Sequence, residues 1–255
     1  MYFVGVDLAW SDRNTTAVAV AEGDGQEASP LHCKSDLGSD QDIADFIDQC
    51  VGSAPAVVAI DAPLKVPNEI GPRPVDRRIT EVFGQFEAGA YPANRSRLGG
   101  GVRGESMVQH LLKRGFAHSP RVQQCDKRRI VFEVYPHPAM VSLFHLNKTL
   151  KYKTRRGRSY ERRYEEYKRY QEYLRDLANS EPKLASDEEV LGKEVSGLRG
   201  KGLKTYEDLL DAIFCAYVAY YVWYWGPERY EIFGDEHHGY ILVPMTPWMR
   251  AQLYS

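Results

Sequence analysis

The chain has 255 residues, of which 43% are hydrophobic and 27% charged, and its formal net charge is −2. This composition is ordinary for a globular protein, and the near-neutral charge excludes a uniformly basic nucleic-acid-binding surface while leaving room for a local patch. The longest apolar run, residues 212–225, is too short to span a bilayer. Four scattered cysteines without a C-x-x-C pair, and an N-terminus without a basic leader, predict a cytoplasmic protein without membrane association.

The N-terminal part of the chain predicts three strands, a helix and a fourth strand. Tight turns separate the strands at residues 2–8, 15–21 and 31–34. Ser39 or Asp40 is a suitable N-cap for the helix that follows, whose apolar residues recur at helical spacing. The run "AVVAID", residues 56–61, is apolar up to its last residue, which is typical of a strand buried on both faces of a parallel sheet.

The rest of the chain predicts helices and strands interrupted by two insertions. A loop insertion rich in Pro, Gly and Arg covers about 62–104, and a basic helical insertion covers about 148–204. The regular segments are predicted as a helix at 105–116, a strand at 129–136, helices at 138–146 and 204–225, and a closing strand or loop. We therefore expect a single α/β domain over residues 1–255. Its mixed sheet would have three antiparallel strands followed by parallel ones, with helices on both faces.

Acidic residues stand at the ends of the apolar strands and on one face of the last long helix. Asp7 and Asp61 close their strands, and Glu133 lies just before the end of the third. If these strands are parallel, their carboxyl ends meet at one edge of the sheet, where α/β proteins place their sites. Asp208 and Asp211 are spaced i, i+3, and the small residues further along that helix face would let the helix lie close to the sheet.

Each of these acids also has a plain structural interpretation. An Asp after a strand is commonly a turn or cap residue, and Asp208 in a first turn would stabilise its helix by interacting with the helix dipole. All five together are harder to explain that way, because carboxylates in one crevice repel one another unless a cation neutralises them. Oxygen ligands suit Mg²⁺ or Mn²⁺, and two such ions about 3.5–4 Å apart form a clamp for phosphoryl displacement. We therefore predict a Mg²⁺ or Mn²⁺ site.

Four motifs of the chain resemble those of one family. "GVDLAW", "AIDAPL", "VFEVYPHP" and "YEDLLDAIFCAYVA" are similar to the domain-of-unknown-function 429 family, whose members are described as predicted nucleases of ribonuclease H-like fold. The spacing Asp208-x-x-Asp211-Ala212 also resembles that of Holliday-junction resolvases, which share this fold and carry a glutamate where this chain has Asp61. The resemblance covers most of the chain and implies a ribonuclease H-like mixed sheet.

The resemblance also implies the roles of the acids. Asp7, Asp61, Glu133 and Asp211 would be metal ligands, and Asp208 would be a further catalytic carboxylate. Ribonuclease H-like enzymes usually need only one of the acids that Asp61 and Glu133 offer, so which of the two binds the metal directly stays open. The implied activity is metal-dependent hydrolysis of phosphodiester bonds in DNA or RNA.

Two basic segments allow a functional and a structural interpretation. Arg77, Arg95 and Arg97 in the loop insertion are candidate phosphate ligands, and a solvated surface loop is an equally good interpretation. In the helical insertion, basic residues alternate with tyrosines, as in proteins that bind single strands. The structural interpretation is the stronger one there, because Tyr164 and Tyr167 belong to a stripe at helical spacing that is typical of a core-facing side.

The leading hypothesis is a Mg²⁺- or Mn²⁺-dependent nuclease whose partner is nucleic acid. A small-molecule phosphotransferase of actin-like fold is an alternative, since such kinases begin with a similar strand, although no second Asp-Gly phosphate hairpin is present in the sequence. A non-catalytic nucleic-acid-binding protein that retains the fold is the third hypothesis. The sequence leaves the oligomeric state open, with a homodimer as one option.

Overall fold

The structure, a computed structural model, describes residues 1–10 and 14–254. Its strands are β1 (Tyr2–Asp7), β2 (Thr16–Gly23), β3 (Glu27–Leu37), β4 (Ala56–Asp61), β5 (Ala117–His118), β6 (Ile130–Val134), β7 (Lys183–Leu184), β8 (Tyr230–Asp235) and β9 (Gly239–Pro244). Its helices are α1 (Asp40–Val51), α2 (Pro74–Phe83), α3 (Arg103–Leu112), α4 (Pro136–Leu143), α5 (Tyr160–Asp176), α6 (Glu188–Leu191), α7 (Gly200–Trp225) and α8 (Pro247–Tyr254). The predicted α/β class is confirmed.

The nine strands of the described residues form one mixed sheet in the order β7-β3-β2-β1-β4-β6-β9-β8, with β5 pairing beside β6. Strands β1, β2 and β3 are antiparallel neighbours, as predicted. Strand β4 is parallel to β1, and β6 is parallel to β4. The C-terminal hairpin β8–β9 extends the sheet beyond β6. The carboxyl ends of the three central parallel strands therefore lie side by side.

Side chains that alternate along the central strands enter two separate cores. On one face, Phe3 and Val57 pack in the core that contains α7. On the other face, Val4 and Val58 pack against the apolar sides of α1 and α3. This alternation is the period of two expected for strands buried on both faces, and it decides which core each strand acid faces.

Helix α1 begins where the sequence predicts it. The Ser39 hydroxyl accepts a hydrogen bond from the Asp42 amide at 3.1 Å, and the Asp42 carboxylate accepts one from the Ser39 amide at 3.2 Å. This reciprocal capping box satisfies two amide donors that a helix start otherwise leaves unpaired. Gly52 ends the helix at φ 53°, a conformation that glycine adopts without steric cost.

The helical insertion contributes to the core. Tyr164, Tyr167, Tyr170 and Leu174 of α5 are buried in the core that contains α7, so the core-facing interpretation of the tyrosine stripe is confirmed. The same segment adds β7 beside β3, which its sequence does not predict. Within residues 1–10 and 14–254, no helix is both long and apolar enough to cross a membrane.

Candidate active site

Asp7 and Asp61 meet at the carboxyl end of the sheet. They are the last residues of β1 and β4, and they are direct partners in the parallel register of these two strands. Each follows the alternation of its strand onto the face covered by α7. Both line a cavity of about 670 Å³. The sequence prediction that these two acids lie close together is therefore confirmed.

Helix α7 lies directly against β1 because of a glycine. A Cβ atom built on Gly5 would be only 1.9 Å from the carbonyl oxygen of Ala212 and 2.2 Å from the amide nitrogen of Ala216. Only glycine permits this contact. It places Asp208 and Asp211 of α7 beside the last residues of β1, as the small residues of that helix face predict.

Asp211 is completely buried and is held by three side chains. The hydroxyl groups of Tyr152 and Tyr170 donate hydrogen bonds to its Oδ1 atom at 2.6 Å and 3.1 Å. The Lys153 ammonium nitrogen lies 2.9 Å from its Oδ2 atom. Because these partners come from the helical insertion, that segment completes the site around α7.

Lys153 is the cation that the carboxylates share. Burial lowers its pKa, but the carboxylates of Asp211, Asp61 and Asp7 outweigh this effect, and the net pKa is well above the ordinary value. Its side chain lines the cavity and remains 32% exposed. A protonated lysine therefore neutralises part of the negative charge of the cluster.

The carboxyl groups of Asp7 and Asp61 are only partly compensated. The Oδ2 atom of Asp7 is buried and has no hydrogen-bond partner among the described residues. Burial raises the pKa of Asp7 well above its ordinary value, with Lys153 opposing the shift and Asp211 adding to it. Burial likewise raises the pKa of Asp61 to about 7, and Lys153 again opposes the shift.

Asp208 of α7 is buried and lines the same cavity. Its carboxylate is paired with Lys204, whose ammonium nitrogen also lies 3.0 Å from a carboxylate oxygen of Glu207. Glu207 in turn accepts a hydrogen bond from the Tyr167 hydroxyl at 2.8 Å. Asp208 therefore carries its own counter-ion, unlike Asp7.

The structure does not bring Glu133 to this cluster. In the parallel register, Glu133 pairs with Ile60 and Val134 pairs with Asp61, so Glu133 enters the opposite face of the sheet from Asp61. Its carboxylate accepts two hydrogen bonds from the Arg73 guanidinium, at 2.7 Å and 3.0 Å, and one from the Leu64 amide at 2.7 Å. Its oxygens are thus occupied by protein donors.

The three arginines expected near phosphate also lie elsewhere. Arg95 is paired with Glu105 at 2.9 Å, and Arg77 and Arg97 are exposed. None of the three is among the described residues that line the cavity. The cations that do line it are Lys153, Lys201 and Lys204, all from the helical insertion or the start of α7.

The sequence reasoning did not single out Lys153, Trp10 or Tyr91, all of which line the cavity. The signal for Lys153 was the basic stretch at 148–158, which contains several equivalent cations. His137 also lines the cavity, where burial lowers its pKa to about 3 and its Nδ1 atom lies 2.9 Å from the Thr149 hydroxyl. It is therefore a neutral imidazole.

In the described part of the chain, no three His, Cys, Asp or Glu side chains are arranged to hold a metal ion together. Asp7 and Asp61 offer hard oxygen donors, and the third nearby carboxylate, Asp211, is engaged by Lys153. The cavity therefore combines oxygen donors at the strand ends with the ammonium groups of three lysines.

The fold and the cavity define an α/β protein with a mixed sheet and a carboxylate cluster at the carboxyl ends of β1 and β4. The sequence matches the model of the family described as "Protein of unknown function (DUF429)" over residues 5–238, and the chain belongs to that family. The resemblance seen in the four motifs is thereby confirmed. No curated protein and no solved structure matched the chain.

Proposed function

We propose that this protein hydrolyses phosphodiester bonds of nucleic acid with a divalent metal ion, on a ribonuclease H-like sheet. The observation that carries the proposal is the in-register pair Asp7 and Asp61, with a buried Asp7 oxygen that has no hydrogen-bond partner among the described residues. A buried carboxylate in this state is costly unless a cation balances it. The order β3-β2-β1-β4-β6, antiparallel at first and then parallel, supports the ribonuclease H-like fold.

The donors of the cavity suit Mg²⁺ or Mn²⁺, which prefer carboxylate oxygens and water. Asp7 and Asp61 would be the protein ligands, and Asp211 would join them if Lys153 moved away from its Oδ2 atom. Glu133 is left out because Arg73 occupies its carboxylate. When bound, the metal would lower the pKa of an attacking water and stabilise the charge of the leaving oxygen.

The remaining side chains of the site would position the substrate and the ligands. Tyr152 and Tyr170 hold the Asp211 carboxylate in one orientation through their hydroxyl groups. Lys201 and Lys204 line the same cavity and can pair with phosphate oxygens. Lys153, on a flexible four-carbon side chain, would exchange its carboxylate partners for the phosphate as a metal enters.

Mn²⁺ binding and nuclease assays test this proposal. The wild-type protein is titrated with Mn²⁺ by calorimetry and incubated with branched, hybrid and single-stranded nucleic acids. We expect a metal site and cleavage, and we expect Asp7→Asn to weaken both by at least about 100-fold. Asp48→Asn, at an exposed position on α1, is the matched control. Cleavage that survives both Asp7→Asn and Asp61→Asn would contradict the proposal.

The cavity volume favours a second candidate function. At about 670 Å³, the cavity has the size of a small-molecule site. A phosphotransferase would use the same lysines for the phosphates of a nucleotide and the same carboxylates for its metal. Formation of ADP from ATP and Mg²⁺ in the presence of candidate acceptor compounds, without any cleavage of nucleic acid, would favour this function over the nuclease.

A further inference from the structure

Two exposed aromatic side chains line the cavity that contains Asp7 and Asp61. Trp10 is 38% exposed and Tyr91 is 63% exposed. Both line the main cavity, and both also line a smaller adjoining recess that includes Asp61. Burial of an aromatic ring is more favourable than burial of most side chains. Two exposed rings beside the carboxylate pair therefore indicate a ligand-binding surface.

The other tryptophans of the chain have ring partners. Trp223 contacts Phe3 with ring centroids 5.2 Å apart, Trp225 contacts Tyr224 at 5.0 Å, and Trp248 contacts His145 at 5.0 Å. Within residues 1–10 and 14–254, Trp10 and Tyr91 make no ring–ring contact of this kind. No aromatic ring of the described residues is therefore stacked on either of them, and both remain partly exposed.

The backbone on either side of Tyr91 is anchored to α2. The Ala90 amide donates a hydrogen bond to the Thr80 hydroxyl at 3.1 Å, and the Ala93 amide donates one to the Asp76 carboxylate at 2.9 Å. The Gly89 carbonyl accepts a further bond from the Tyr135 hydroxyl at 3.2 Å. The Tyr91 ring therefore extends from a fixed loop.

The backbone before Trp10 is anchored in the same manner. The Ala9 amide donates a hydrogen bond to the Thr16 hydroxyl at 3.2 Å, and the Ala9 carbonyl accepts one from the Arg103 guanidinium at 3.1 Å. Fixed aromatic rings lose little conformational entropy when a flat ligand stacks on them. The backbone that carries each ring is thus held in place at the border of the carboxylate cavity.

Three lysines complete the chemistry of the cavity. Lys153, Lys201 and Lys204 line it together with the two rings. An ammonium group pairs with a phosphate, and an aromatic face stacks on a nucleobase. The ligand that satisfies both kinds of group at once is a nucleotide whose base is free to stack on a side chain.

We infer that Trp10 and Tyr91 are nucleobase-stacking side chains, and that the cavity takes an unpaired nucleotide with its phosphate toward the lysines. This inference rests on the proposed function and names its substrate class, which is single-stranded nucleic acid or an unpaired end. The bases of a continuous duplex already stack on one another, so their faces are closed to these rings. A free nucleotide carries the same base and phosphate, and the experiment separates it from a strand.

Binding in EDTA tests the inference independently of metal and of hydrolysis. The probes are a fluorescein-labelled oligothymidylate of about 12 nucleotides, a blunt duplex of the same length, and thymidine 5′-monophosphate as a competitor. We expect the single strand to bind about tenfold more tightly than the duplex. Displacement by the mononucleotide at equal nucleotide concentration would assign the cavity to free nucleotides, whereas its failure to displace the strand assigns the cavity to polynucleotides.

Side-chain variants locate the binding on the rings. Trp10→Ala and Tyr91→Ala should each weaken single-strand binding at least about fivefold. Tyr254→Ala, which removes an exposed tyrosine of α8 outside the cavity, should leave it unchanged. Thermal unfolding of each variant checks that the fold is retained.

Trp10→Phe distinguishes base stacking from a purely structural role of Trp10, because only stacking would quench the tryptophan fluorescence on binding. Trp10 is more exposed than the other three tryptophans, so a stacked base should quench its fluorescence. The Phe variant should keep the affinity within about threefold and lose the quenching. Equal affinity for strand and duplex, or alanine variants that bind as the wild type does, would overturn the inference even if Mn²⁺ binding and cleavage are found.

Discussion

Two groups of carboxylates lie at the central strands of the sheet, and they differ in their partners. On one face, Glu133 of β6 is paired with the buried Arg73 guanidinium at 2.7 Å, and Asp76 of helix α2 is paired with the same guanidinium at 2.8 Å. On the other face, Asp7 and Asp61 stand at adjacent strand ends, and a buried Asp7 oxygen has no hydrogen-bond partner among the described residues. The charge of the first group is compensated within the protein, and that of the second is compensated only in part, by Lys153.

The comparison shows that the donors around a carboxylate indicate its role better than its position on a strand. Glu133 lies one residue from the end of its strand, and this one-residue offset in register directs it to the opposite face from Asp61. Burial raises the pKa of Glu133, but Arg73 and the Leu64 amide oppose the shift. The paired group should therefore matter for folding and the other group for binding.

Breaking the paired group should destabilise the protein more than any other change considered below. Arg73→Met leaves Glu133 and Asp76 buried without their counter-ion, so the free energy of unfolding in urea should fall by about 3–5 kcal/mol. Arg95→Met, which breaks the more exposed pair with Glu105, should cost no more than about 1 kcal/mol. If Arg73→Met lowered the free energy of unfolding by no more than Arg95→Met does, the ion pairs of Arg73 would not stabilise the fold as expected.

The ionisation of Asp61 should make the free energy of unfolding depend on pH, with an effect smaller than that of Arg73→Met. Its pKa rises from 3.8 in the unfolded chain to about 7 in the folded protein. Between these values, the folded state holds a proton that the unfolded state has released, so stability decreases as the pH rises from 4 to 7. Because each pKa unit corresponds to about 1.4 kcal/mol, the wild type should lose about 3 kcal/mol of unfolding free energy across this window compared with Asp61→Asn.

Mn²⁺ should change that pH profile, because a metal binds the ionised carboxylate. With saturating Mn²⁺, the loss of stability toward pH 7 should diminish in the wild type and change much less in Asp61→Asn. Asp48→Asn serves as the exposed control in the same titration. A wild-type profile that remains parallel to that of Asp61→Asn would show that the Asp61 environment does not perturb its ionisation.

The sequence predicted the elements that carry local signals. The N-cap predicted at Ser39 or Asp40, the apolar run that ends at Asp61 and the small residues Ala212 and Cys215 on α7 each rest on a few neighbouring residues. The structure has Ser39 as the N-cap, the strand that ends at Asp61 and both small residues buried on α7. For the site, the alternation of side chains along β1 and β4 was sufficient to predict that Asp7 and Asp61 lie close together, because both are the last residues of parallel strands.

The rest depended on long-range contacts that no local pattern records. The register of β6 against β4 decides the face of Glu133, and a single strand does not contain that register. Lys153 was one of several cations in a basic segment, and only the packing of Tyr152 against the buried Asp211 selects it. Tyr91 lies in a loop whose path is set by hydrogen bonds to α2.

Replacing Lys153 should change metal affinity only modestly, and this change tests whether Asp7 and Asp61 have charge available for a ligand. Because the Lys153 ammonium neutralises the carboxylates that a metal would use, Lys153→Met should remove a competitor and tighten Mn²⁺ binding about tenfold in calorimetry. Lys151→Met is the matched control, since that neighbouring lysine pairs with Glu87 at 2.7 Å outside the cavity. Unchanged or weaker Mn²⁺ binding in Lys153→Met would mean that the lysine and the metal do not compete for these carboxylates.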